Sequence, residues 1–222
     1  MRSSVLSAVV VGFAFWVGQG ISSPLPVLNP SFESPLCGAT GGVGVICAPA
    51  NWTLSGGTGL AGAFFPPSTA WDSIPDGVQI GWSNGGVLSQ DLGVTITPDT
   101  VYTLSLWVSQ RWTAGSFLPE IQLLGGSSAL LTMNNSNPGG AAPTTNVDGT
   151  YNWVNWTMSW KSPSAGAILG QTLSISLSSD GAQTDFDNIS LDASATPTPE
   201  PGVFGMVVAG LLGLVVRRRQ VK

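Results

Sequence analysis

Alternation between apolar and polar positions is the strongest pattern in the chain, and it has a period of two. From Val101 to Ser109, Tyr102, Leu104, Leu106 and Val108 share one face, and Thr103, Ser105, Trp107 and Ser109 the other. That period places side chains on opposite faces of an extended strand. Gln171 to Ser178 repeats it with Leu173, Ile175 and Leu177 inward, and Val154, Trp156, Met158 and Trp160 form another inward set. Val78 to Ile80, Val87 to Leu92, Glu120 to Leu124 and Phe186 to Leu191 are shorter candidate strands. Turn clusters separate them: Asn84-Gly85-Gly86, Pro98-Asp99 and Ser179-Asp180-Gly181. Asn134 to Gly149, rich in Asn, Gly, Pro and Thr, reads as a long surface loop. No amphipathic helix of useful length falls between residues 25 and 195. The pattern predicts an all-β protein of six to nine strands, a single jelly-roll-like antiparallel β-sandwich over residues 25–193.

Composition narrows the chemistry. The 222 residues contain no histidine, two cysteines, seven Lys or Arg and twelve Asp or Glu. Without histidine, a Ser-His-Asp triad, a Cys-His dyad and a histidine zinc site are excluded. Between residues 21 and 199 only Arg111 and Lys161 oppose eleven of the acids. Such a surface repels phosphates, so nucleic acid is not an expected partner, and it attracts cations such as calcium.

The ends read as targeting segments. Met1-Arg2 precedes an apolar run from Val5 to Val17, and Gly18 and Gly20 are small residues suited to cleavage. Residues 1–20 therefore read as a secretory signal peptide. At the other end, residues 194–201 form a Pro-rich linker ending in Pro199-Glu200-Pro201. An uncharged apolar run, Gly202 to Val216, follows, and then Arg217-Arg218-Arg219. Residues 202–222 read as a C-terminal transmembrane sorting helix with a basic tail, although fifteen helical residues span only about 22 Å. This order resembles the PEP-CTERM sorting signal of exosortase substrates. The resemblance implies an exosortase-type processing enzyme as partner, membrane contact through the helix, and a secreted or cell-surface location. Outside the cytoplasm, Cys37 and Cys47 are expected to pair as a disulfide.

The sandwich carries a second resemblance. Asn29-Pro30-Ser31-Phe32-Glu33 resembles the opening of jelly-roll carbohydrate-binding modules, and Phe186-Asp187-Asn188-Ile189-Ser190-Leu191 their closing strand. Leu88-x-Gln90-x-Leu92 and Tyr102-x-Leu104-x-Leu106 fit between. The resemblance implies adjacent first and last strands, with a structural calcium where they meet; Glu33 and Asp187 match its ligand positions. It also implies an extracellular polysaccharide as partner.

Eight tryptophans lie in the secreted region, and parity divides them. Trp156 and Trp160 share the parity of Val154 and Met158 and are expected in the core. Trp107 and Trp153 fall on polar parities and Trp112 lies just past a strand end, so these three are the expected ligand platform. Trp71 and Trp82 are weaker candidates. Asp185 and Asp187 share a strand face, but nothing in the sequence places a raised-pKa acid opposite them. The expectation is a non-catalytic surface protein bound to polysaccharide. The alternatives are a structural matrix protein without a specific ligand, and a glycosidase acting through paired carboxyls.

Overall fold

Strands run through nearly all the regular structure of this chain, seen here in a computed structural model. The structure describes residues 22–196 apart from 39–45, 57–59, 68, 72, 111–116, 146–149 and 181. The expected signal peptide, most of the Pro-rich linker, Pro199, Glu200, Pro201, the sorting helix, Arg217, Arg218, Arg219 and Trp112 lie outside the described residues. Among the described residues there is no helix, so none is long and apolar enough to cross a membrane.

The strands are β1 (Ser22–Leu25), β2 (Ile46–Cys47), β3 (Thr53–Ser55), β4 (Ala61–Phe64), β5 (Ile80–Ser83) and β6 (Val87–Thr95). They continue with β7 (Thr100–Gln110), β8 (Pro119–Gly125), β9 (Ser128–Asn134), β10 (Val154–Lys161), β11 (Thr172–Ser179) and β12 (Thr184–Ala195). One sheet has the order β10-β7-β12-β5-β4-β2, with β1 also paired to β12; the other has the order β3-β6-β11-β8-β9. Every pairing is antiparallel. The fold is an all-β sandwich of two antiparallel sheets.

The two inner faces share one core. Leu104, Leu106 and Val108 of β7 and Phe186 and Leu191 of β12 come from the first sheet; Leu88, Ile121, Leu123, Leu173, Ile175 and Leu177 come from the second. Trp156 is buried among them, but Met158 and Trp160 only lean on the rim, half-buried. Phe32 is wholly buried against β5, where a Cβ on Gly81 would come within 2.5 Å of its ring.

β12 is the central strand and changes neighbour part-way. Its first residues pair with β5 and its last with β1, while β7 flanks it throughout. The change falls at a bulge: Asp187 pairs with Trp107 but Ser190 with Ser105, and the extra residue, Asn188, has a φ of 47°. An extra residue on one strand leaves backbone groups outside the ladder. Here the Ile189 N–H donates to the carbonyl of Pro30, which ties the incoming segment to the sheet.

Cys37 and Cys47 form the expected disulfide, with Cα atoms 5.4 Å apart across ten positions. It joins the segment after Phe32 to the edge strand β2. Replacing both by serine is expected to lower stability by about 2.5–3 kcal/mol, the loop-closure value for this length. Urea unfolding of the double variant against the oxidised protein measures it.

Candidate active site

The outer face of the first sheet should be polar by alternation, yet part of it carries a second apolar cluster. Phe64, Ala70, Trp71, Ile80 and Trp82 are buried together there, with Ile74, Tyr151 and Trp153 packed against them. Phe64 and Ile80 are register partners on β4 and β5. Ala70, Trp71 and Ile74 from one irregular segment, and Tyr151 and Trp153 from another, pack over these strands. Trp71 and Trp153 lie 5.3 Å apart between ring centres, tilted by 43°. The Trp71 indole N–H donates to Ser109 Oγ at 2.7 Å, and Ser109 donates on to the Asn152 carbonyl at 3.0 Å. One hydroxyl thus pins both covering segments to β7.

Between these covers a cleft of about 380 Å³ opens, lined by Ser73, Ile74, Pro75, Trp107, Tyr151, Asn152 and Trp153. Three aromatic side chains and a few polar groups around such a volume match the usual make-up of a small-molecule site.

Register places acids beside it. Asp187 is the partner of Trp107, and Asp185 the partner of both Ser109 and Trp82. Residues directly opposite in an antiparallel pair leave the sheet on the same face. Both side chains therefore emerge on the outer face, and both residues are completely buried. Asp185 Oδ1 accepts the Gln183 amide at 2.8 Å. Burial pushes the Asp187 carboxyl up from its ordinary 3.8 to about 7; amide hydrogen bonds from Asp76 and Asn188 oppose the rise, and the charges of Asp76 and Glu33 add to it.

Trp107 and Trp153 line one cleft, both half-buried. Trp71 and Trp82, ranked lower from the sequence, are walls of the cluster beside it. Glu33 and Asp187 approach the same loop from two sides. Glu33 Oε1 accepts the Val78 and Gln79 amides at 2.8 and 2.7 Å, and Asp187 Oδ2 accepts the Asp76 amide at 2.9 Å. Among the described residues no three Asp, Glu or Cys side chains are gathered closely enough to hold a metal ion. The calcium expectation at Glu33 and Asp187 thus has neighbouring carboxylates but no formed ligand cage. Alternation places Asp185 on the outer face, but its burial is visible only in the fold.

The sequence of the sandwich matches the family model of the HpiC1 cyclase, described as HpiC1-like, over residues 23–192. The chain belongs to the HpiC1-like family. Solved cyclases of Fischerella share its fold. A Stig cyclase, Fisc, from Fischerella sp. TAU, in complex with (3Z)-3-(1-methyl-2-pyrrolidinylidene)-3H-indole, is 20% identical with a TM-score of 0.63, over 79% of this chain and 100% of that one. A cyclase from Fischerella sp. TAU in complex with 4-(1H-indol-3-yl)butan-2-one is 22% identical, also with a TM-score of 0.63, over 79% and 100%. An apo cyclase from Fischerella sp. is 22% identical with a TM-score of 0.62, over 80% and 98%. No curated protein matches the chain in sequence.

Membership in the HpiC1-like family corrects the functional expectation. A non-catalytic module bound to extracellular polysaccharide is replaced by membership in a family of cyclases. The glycosidase alternative gains nothing from it. The sequence offers no histidine and shows no buried carboxyl, whereas in the fold Asp185 and Asp187 are both buried. The family match ends at residue 192 and lends no support to the sorting-signal resemblance or to a membrane role.

Proposed function

We propose that this HpiC1-like chain is a cyclase that closes a ring within a small aromatic, indole-bearing molecule held in the Trp107–Trp153 cleft. The observation that carries the reading is the pairing of that aromatic cleft with two buried carboxyls on the same sheet face. Aromatic walls stack on a planar ring, and their faces stabilise positive charge developing during ring closure. Proton-driven ring closure needs a group that delivers a proton and one that removes it. Asp185 is the carboxyl we assign to proton transfer, held by Gln183 beside Trp82. The ligands of the Fischerella cyclases suggest the indole, and identity near 20% makes it a proposal for this chain.

Calcium belongs to the same proposal. Glu33 and Asp187 would hold it, with backbone carbonyls and water supplying the remaining oxygens. The donors are hard oxygens of the kind calcium takes. Its role there is to offset the charge of an ionised Asp187, on which the charges of Asp76 and Glu33 also act. Jelly-roll connectivity is the finer topology we assign to the sandwich, supported by first and last strands that lie side by side. A secreted or cell-surface location is proposed as well, supported by the disulfide.

Calorimetric titration with 4-(1H-indol-3-yl)butan-2-one tests the cleft. Trp107→Ala and Trp153→Ala are each expected to weaken binding by about tenfold, the scale of one lost aromatic contact. Incubation with indoles bearing an unsaturated side chain, followed by chromatography, tests turnover: ring closure yields an isomer of unchanged mass. Wild-type affinity in both tryptophan variants would place the ligand elsewhere.

A further inference from the structure

The wall of the cleft formed by Ser73, Ile74 and Pro75 belongs to no strand. A segment without a ladder holds its shape only through other bonds; upstream Trp71 is tied to Ser109, and downstream several bonds gather on residues 76–79. Glu33 Oε1 takes the amides of Val78 and Gln79, Asp187 Oδ2 takes that of Asp76, and the Ser31 hydroxyl donates to Asp76 Oδ2 at 2.7 Å. The Gln79 side chain donates to the carbonyls of Phe32 and Pro35, both at 3.1 Å. Gly77, with a φ of 68°, lies where a Cβ would overlap the Glu33 carboxylate.

We infer that Glu33 is a positioning residue for the cleft: its carboxylate clasps the backbone of residues 76–79 and thereby sets the wall at residues 73–75. Glu33 does not line the cleft itself. The inference rests on the cyclase reading of that cleft. It concerns an acceptor for two amides, so it differs from a metal-ligand role, which needs the charge. Glutamine keeps a carbonyl acceptor at the same reach; alanine has none.

The test is hydrogen exchange by mass spectrometry, with calorimetric titration of 4-(1H-indol-3-yl)butan-2-one, on the full chain in chelator and again in calcium. In chelator, Glu33→Ala is expected to speed exchange of the 76–79 amides and of Ser73 and Ile74 by about tenfold, and to weaken the probe by a similar factor. Glu33→Gln is expected to stay within about threefold of wild type in both readouts. Gly77→Ala, which drives a methyl into the clasp, is expected to reproduce the alanine signature, and it serves should Glu33→Ala fail to fold. Unchanged exchange at Ser73 and Ile74 in both alanine variants overturns the inference. So does a Glu33→Gln variant as damaged in chelator as Glu33→Ala, because charge would then be what matters. Faster exchange with unchanged probe affinity also overturns it. If the wild-type protein does not bind the probe, the cyclase reading is what has failed; exchange at Ser73 and Ile74 then decides the clasp alone.

Discussion

Exchanging Asp185 for asparagine is expected to lower ring-closure turnover by about a hundredfold or more, the usual scale for a lost general acid or base. The replacement is nearly isosteric and can still accept the Gln183 amide, so the fold and the cleft should survive. The diagnostic result is a split: turnover falls while affinity for 4-(1H-indol-3-yl)butan-2-one stays within about threefold, since neither Trp107 nor Trp153 has moved. Equal loss of binding and turnover would reassign Asp185 to the structure of the covers. Undiminished turnover would remove it from the chemistry.

The second large effect concerns Asp187. Its folded pKa, about 7, lies above its ordinary 3.8. Between these values the unfolded chain has lost the proton that the folded chain keeps. The calcium-free protein is therefore most stable below about pH 4 as far as this group is concerned, and it loses stability as pH rises toward 7. Three units correspond to about 4 kcal/mol as an upper bound. Calcium reverses the sign, because the cation takes the place of the proton and stabilises the ionised carboxyl. Thermal unfolding in chelator should show a midpoint that falls from pH 5 to pH 8. With millimolar calcium the fall should be largely cancelled at pH 8 and little changed at pH 5. A midpoint indifferent to calcium at pH 8 removes the metal from Glu33 and Asp187.

The long strands were legible because one of their faces meets the core and the other meets water. Val101–Ser109 became β7, extended by one residue at each end, and the pattern at Gln171–Ser178 became β11. β4 and β5 were not legible for the opposite reason. Every residue of Ala61–Phe64 and Ile80–Ser83 is buried, so the outer face carries Phe64, Ile80 and Trp82 where alternation expects polar groups. The strand expected at Val78–Ile80 starts only at Ile80; Val78 is exposed and belongs to the clasped loop. β2, of two residues, and β3, of three, are too short to show any period.

The same features governed the site. Parity was enough to set Trp107 and Trp153 apart from Trp156. It could also put Asp185 and Asp187 on one face. It could not show that Trp71, some thirty-six positions before Trp107, returns to cover that face, because this contact is made by an irregular segment. Nor could it show that Asp185 and Asp187 are both buried, or that burial raises the Asp187 pKa. The expectation of a non-catalytic module is overturned by the family match, which no strand pattern contains.

β1 shields only one stretch of its neighbour. Ser22–Leu25 hydrogen-bond to Leu191–Ser194 and to no other strand. If those four residues were trimmed away, a row of amides and carbonyls in the last part of the longest strand would face solvent. Such a row is a template for a strand from another molecule. A shortened chain would then be prone to pair with its own copies and form aggregates, even with the core and the buried carboxyls intact.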